Sequence, residues 1–153
     1  MAPLVVMLGG WLAFRLMGAM GMLSAGATWI GALRYAMSAM FIFTAISHFH
    51  PRTRPDLVRM VPPFFPMPGA LVTLTGILEL AGALGLLVPP LIAPAALALS
   101  GLLMAMFPAN IYAAVNNLTI GGRQATPLAI RLPLQLFWIG ALWWIARLEA
   151  GGS

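Results

Sequence analysis

The feature that most limits what this chain can fold into is a series of long apolar blocks with almost no charge inside them. The blocks run from about Trp29 to Phe49, Gly69 to Val88, Ala93 to Val115 and Leu132 to Ile145. Breaks fall at Pro51, Pro89-Pro90 and Gly121-Gly122. A hydrocarbon core of about 30 Å takes about 20 helical residues at roughly 1.5 Å each, which is the scale of these blocks. With 61% hydrophobic and 7% charged residues, a soluble domain of 153 residues would lack the polar groups to cover its surface. The expected fold class is therefore all-α, a transmembrane bundle of four helices plus a fifth, N-terminal helix that the sequence leaves open.

That N-terminal stretch, Pro3 to Ala27, is apolar and rich in Gly and Met, with one interruption at Arg15. An extra helix, a signal anchor and a surface-lying segment all fit it. A cleaved signal peptide fits worst, because no basic region precedes the apolar run. The chain divides into an N-terminal segment at 1–28, a four-helix membrane domain at 29–147 and a short tail at 148–153.

The connectors set the topology. From Pro51 to Pro68 five further prolines exclude one continuous helix, leaving an ordered surface connector with a short helix at Asp56 to Val61. The second and third blocks, separated only by Pro89-Pro90 and a few apolar residues, form an antiparallel hairpin. The net charge of +5 comes from eight Arg scattered beside apolar blocks, a topological pattern that argues against nucleic-acid binding. Loops 51–68 and 116–131 share one side and hold five of the Arg against one Asp, which places them in the cytoplasm. The last block is short unless Arg131 and Arg147 snorkel, with Trp143-Trp144 as interface anchors.

Glu79 carries the most information. It stands about ten residues, or roughly 15 Å, from either end of its block. An acidic group at a helix centre costs about 2.5–3.5 kcal/mol to insert, so it must face the bundle and have a partner, or carry its proton. Gly76, Gly82 and Gly85 lie at three-residue steps from it, a small-residue stripe that admits another backbone on its side. Thr75 is one turn away on the same face. Candidate partners enter from the loop side: Ser47 and His48 in the first block, Asn110 and Tyr112 in the third, Arg131 and Gln135 in the fourth. An antiparallel bundle gathers them into one half of the membrane as a polar pocket with Glu79 at its bottom. Such a pocket suits a small lipid-soluble ligand or a proton relay; the alternative is a network of interhelical hydrogen bonds that only holds the bundle together.

Other residue types point to less. No cysteine is present, which excludes disulfides and thiolate chemistry by this chain. His48 and His50 are two apart and diverge by about 200° on a helix, so no metal site is expected. The eleven Met read as adaptable filler and the five Trp as interface anchors.

Several motifs together resemble the DoxX-like family of small membrane proteins. They are Ser47-His48-Phe49 before Pro51, Val61-Pro62-Pro63 with Pro66 and Pro68, and Gly76 to Glu79 with Gly82 and Gly85-Leu86-Leu87. Phe107-Pro108-Ala109-Asn110-Ile111-Tyr112 and Arg131-Leu132-Pro133-Leu134-Gln135 complete the set, which covers roughly residues 34–145. The resemblance implies a four-helix bundle in the bacterial inner membrane and an association with oxidative or sulfur metabolism, including quinone-reducing complexes. It also lands on His48, Glu79, Asn110, Arg131 and Gln135. The leading expectation is thus a redox-associated membrane subunit, an accessory to an oxidoreductase. It would bind a quinone or another small lipid-soluble ligand, hold no covalent cofactor, and work with a protein partner that carries the electrons. A lipid- or sterol-type isomerase or binding protein, with Glu79 and His48 as acid and base, is a second expectation. A small channel or transporter, which would have to be a homo-oligomer, is a third.

Overall fold

The apolar blocks are helices whose outer faces stay apolar. The computed structural model describes residues 2–150, apart from the side chains of Ala25, Arg123 and Ala150. In chain order the helices are α1 (Ala2–Ala19), α2 (Trp29–Phe49), α3 (Arg54–Met60), α4 (Pro68–Gly85), α5 (Ile92–Ala105), α6 (Phe107–Val115) and α7 (Leu128–Ala150). Single 3-10 turns occupy Ser24–Ala27 and Pro89–Leu91, and a two-residue antiparallel ladder joins β1 (Thr119–Ile120) to β2 (Arg123–Gln124). Five segments are long and apolar enough to cross a membrane: α1, α2, α4, the run Pro89–Val115 containing α5 and α6, and α7. Leu12, Leu16, Ile77, Leu84, Phe137 and Trp144 are each at least half exposed. Lipid tails cover such a surface where water would not. The fold is an all-α transmembrane bundle.

The N-terminal stretch is the fifth helix of that bundle, packed along α2. Trp11 meets Trp29 at 4.9 Å between ring centroids and Phe14 meets Tyr35 at 5.4 Å. Arg15, which interrupts the apolar run, does so for a reason: its guanidinium donates to the carbonyls of Gly26 (3.1 Å) and Ala27 (2.5 Å) and lies over the Trp29 ring. These contacts tie α1 to the turn before α2. The Thr28 hydroxyl then caps α2 by accepting from the Gly31 N–H at 3.0 Å.

Three sequence boundaries shift. The third span is not one helix: Pro108 has no N–H to give to the Met104 carbonyl and its ring crowds that carbonyl, and the helix is interrupted at Met106 between α5 and α6. The last span is longer than Leu132 to Ile145, because α7 carries Arg131 and Arg147 within the helix and retains Pro133. Residues 148–150, assigned above to a tail, are the last turn of α7, while 151–153 and Met1 lie outside the described residues.

The dry core lies toward the α4–α5 turn. Ala36, Met37, Ala83, Leu86, Ile92, Ala96, Leu142 and Ile145 have essentially no exposed surface. Small side chains bring the helices close, and the Ser38 hydroxyl donates across to the Ala83 carbonyl at 2.8 Å. The glycine stripe of α4 does not face one neighbour. Three-residue steps retreat by about 60° each around a helix of about 3.6 residues per turn, so the stripe winds. A Cβ at Gly76 would stand 2.7 Å from the His48 Cβ on α2, whereas one at Gly82 would stand 2.6 Å from Leu99 on α5. Gly76 admits α2 and Gly82 admits α5.

Candidate functional site

The other half of the bundle, beneath the connectors, is open. A cavity of about 470 Å³ lies among α2, α4, α5, α6 and α7, with Ala2 to Leu4 of α1 at its edge. His48, Thr75, Glu79, Asn110, Arg131 and Gln135 all line it. Tyr112 does not. It is two residues from Asn110 on the short helix α6, and side chains two apart point about 200° from one another, so an inward Asn110 sends Tyr112 away.

In the last turn of α2, His48 is buried beside α4. Its Nδ1 lies 2.9 Å from the Val72 carbonyl oxygen and 3.1 Å from Thr75 Oγ1. A carbonyl only accepts, so Nδ1 carries a hydrogen and donates to it. The other ring nitrogen, Nε2, lies 3.6 Å from Glu79 Oε2. At that distance the two groups touch without a hydrogen bond.

Across the cavity, α7 presents Arg131, Gln135 and Trp138 on one stripe at spacings of four and three. Gln135 is fully engaged: its Nε2 donates to the Leu103 carbonyl at 2.7 Å, and its Oε1 accepts from Asn110 Nδ2 at 3.3 Å. This explains how the broken span survives in lipid, since the interruption after α5 disturbs the backbone ladder there and a side chain from α7 serves its carbonyl.

Its neighbours on the stripe are not engaged. Among the described residues, four buried side-chain polar atoms have no hydrogen-bond partner: Glu79 Oε2, Arg131 Nη1, Trp138 Nε1 and Arg34 Nε. The first three belong to residues that line this one cavity. No set of three or more His, Asp or Glu side chains suited to a metal comes together among the described residues.

The roof is built by the connectors. Leu57, Met60 and Val61 from the α3 region and Ile120, Gln124, Ala125 and Thr126 from the β1–β2 hairpin close over the cavity. The hairpin turns through Gly121 and Gly122, at φ 58° and 78°, the left-handed geometry of a two-residue primed turn that glycine adopts freely. Asp56 joins the two halves: its Oδ2 accepts from the Gly121 N–H at 2.7 Å while its other oxygen pairs with Arg59. The Gly121 N–H, and then Arg59, hold the Asp56 carboxyl below its ordinary value of 3.8.

Three contributors escaped the sequence reading. Arg54, taken only as a topological charge, donates to the carbonyls of His48 (3.0 Å) and Gly69 (3.1 Å) and to Thr73 Oγ1 (2.9 Å), tying the start of α3 to α2 and α4. Thr44, one turn before His48, also faces the cavity. Trp138 is not an interface anchor: it lies ten residues into α7, roughly 15 Å along the helix, and that depth was the available signal.

The fold and this site together define a multi-span α-helical membrane protein with a roofed polar cavity. Residues 37–146 match the family described as a domain of unknown function, DUF8561, and the chain belongs to that family. The match begins within α2, so α1 lies outside it. No curated protein and no solved structure matches the chain.

Proposed function

We propose that the protein is a redox-associated membrane subunit of DoxX-like type that holds a small lipid-soluble ligand, a quinone in the first instance, in the cavity under its connectors. The observation that carries this reading is the clustering of Glu79 Oε2, Arg131 Nη1 and Trp138 Nε1, unpartnered, around one cavity. A buried polar group left unpaired costs about 1–3 kcal/mol, and more when charged, and a structural network would have paired them as Gln135 is paired. Guanidinium and indole N–H groups suit carbonyl oxygens, and the cavity wall supplies apolar surface for a ring or tail. Reduction of a quinone takes two electrons and two protons. The electrons would come from a partner protein, while the His48–Glu79 pair is placed to pass protons. The arginine balance supports a cytoplasmic position for the roof. Five Arg and Asp56 lie on the roof side, against Arg15, Arg34, Arg147 and Glu149 on the other.

The 3.6 Å approach of His48 to Glu79 also favours a second reading, acid–base isomerisation of an apolar substrate, in which the pair removes a proton from one carbon and returns it at another. The test separating both from a purely structural role is Glu79→Gln beside Glu79→Leu, scored for folded yield and thermal stability in detergent with and without decylubiquinone. The expected outcome is a ligand-dependent rise in the wild-type melting temperature, with Glu79→Gln folding normally but losing the rise. Loss of folded protein in both variants, with no shift of the wild type by any ligand, would make Glu79 structural.

A further inference from the structure

The cavity wall holds an arginine without a carboxylate partner, and that arginine specifies a ligand head group. The chain has three side-chain carboxylates, and none pairs with Arg131: Asp56 holds Arg59 and Gly121, Glu149 holds Arg34, and Glu79 lies 3.6 Å from His48. Arg131 forms an ion pair with none of them, and its Nη1 is buried with no hydrogen-bond partner among the described residues. Glu79 lies against His48 and forms no ion pair with Arg131. Arg54, the other nearby cation, spends its donors on two carbonyls and a hydroxyl and adds no negative charge. Among the described residues that line the cavity, Arg131 is the one arginine, without a carboxylate partner and one turn inside the roof end of α7.

An unpaired guanidinium in a low-dielectric wall is expensive, and a bound anion would offset that cost directly. Its planar fork of donors matches a carboxylate in bidentate fashion. Beside it the cavity is apolar, with Met40, Phe43, Leu71, Leu103 and Met106 forming a bed for a chain. Resting on the ligand-binding reading above, we infer that Arg131 is the head-group subsite of this cavity and that it selects amphiphiles with a singly charged acidic head, a carboxylate above all, over neutral molecules with the same tail.

The test uses the full chain in a mild non-ionic detergent at neutral pH and three probes with closely matched alkyl tails: decanoate, methyl decanoate and decylubiquinone. Wild-type protein should bind decanoate about tenfold or more tightly than its methyl ester, the size expected when a charge-assisted contact is exchanged for a neutral one. Arg131→Gln should bring the two affinities together, with the larger loss on decanoate. Arg131→Lys should keep part of the preference, since the charge stays and the fork is lost. Equal affinities for acid and ester in the wild type, or a preference that survives in Arg131→Gln, would overturn the inference. The wild-type ratio decides the question even if Arg131→Gln folds poorly. Saturable binding of decylubiquinone without an acid preference removes this inference alone, whereas no saturable binding of any probe removes the cavity reading with it.

Discussion

The two halves of the bundle handle polar groups in opposite ways. Toward the α4–α5 turn, the helices are packed through Ala36, Ala83, Ala96 and Gly82, and the polar side chains there have partners within the chain. Ser38 donates to Ala83, Ser100 donates to Ala96, and Arg34 pairs with Glu149 at 3.2 Å. Only Arg34 Nε, on a guanidinium already bonded through Nη1, lacks one. Toward the connectors, three polar side chains project into a cavity with atoms unmatched. Membrane helices gain little from burying apolar surface against each other, since lipid is as apolar as their neighbours; close packing and paired polar groups supply stability instead. The packed half has that design throughout. The roofed half gives up part of it, which is the pattern of a binding site built on a stable base.

The largest effect should come from disturbing the packed half. Gly82→Val places a side chain where a Cβ would already lie 2.6 Å from Leu99, and overpacking of that kind costs about 1–3 kcal/mol. Gly101→Ala on α5 meets nothing within 4 Å and should be neutral or slightly stabilising. Thermal melts in detergent compare the two directly. A Gly82→Val protein that melts like wild type would show that close approach of α4 and α5 is not what supports the bundle.

The roofed half should respond in the reverse sense. Trp138→Phe removes an unpaired N–H and keeps most of the ring, so the unliganded protein should melt at or above the wild-type temperature, by up to about 1–3 kcal/mol. The same variant should lose part of any ligand-induced shift. If Trp138→Phe destabilises the empty protein, the indole N–H has a partner after all and the contrast between the halves weakens.

How far the sequence could see follows the same division. The bounds of α2, the short helix in the connector and the hairpin of α4 and α5 follow from hydropathy and proline spacing, because insertion in lipid and helix termination are local rules. The gathering of His48, Thr75, Glu79, Asn110, Arg131 and Gln135 follows from depth along antiparallel spans, which also depends only on sequence position. What required coordinates was rotation about each helix. Tyr112 could have been discounted from its two-residue offset from Asn110, and the winding of the Gly76, Gly82 and Gly85 stripe from its three-residue step, but the neighbour each glycine faces could not. Arg54 was illegible for another reason: its partners are backbone carbonyls of His48 and Gly69, which no side-chain pattern marks.

The roof offers a smaller effect with a pH signature. Because the Asp56 carboxyl is held below 3.8 in the folded protein, its contacts with Gly121 and Arg59 favour the closed roof fully above that ordinary value. They are lost only as pH falls further, through the depressed value. Hydrogen exchange at the Gly121 amide, corrected for intrinsic rates, should stay slow down to the ordinary carboxylate range and accelerate below it. Asp56→Asn should raise exchange several-fold at neutral pH and abolish the acid step. Unchanged exchange in Asp56→Asn would show that the hairpin is held over the cavity by its apolar contacts alone.

The smallest effect lies at the far end of the packed half. Arg34 and Glu149 join α2 to the last turn of α7, across 115 positions of chain, with the arginine mostly buried and the glutamate partly exposed. An ion pair open to water contributes about 0–1 kcal/mol, and partial burial of Arg34 places this one toward the upper part of that range. A double-mutant cycle with Arg34→Gln and Glu149→Gln isolates the coupling. Its sign matters more than its size. A favourable coupling means that even at the membrane edge the packed half pairs its charges for stability, and that Arg131, half-buried in the cavity wall with Nη1 unpartnered, is the departure that needs a ligand. A coupling near zero would mean that unpaired arginines cost this bundle little, and the argument from Arg131 would then rest on the ligand-affinity ratios alone.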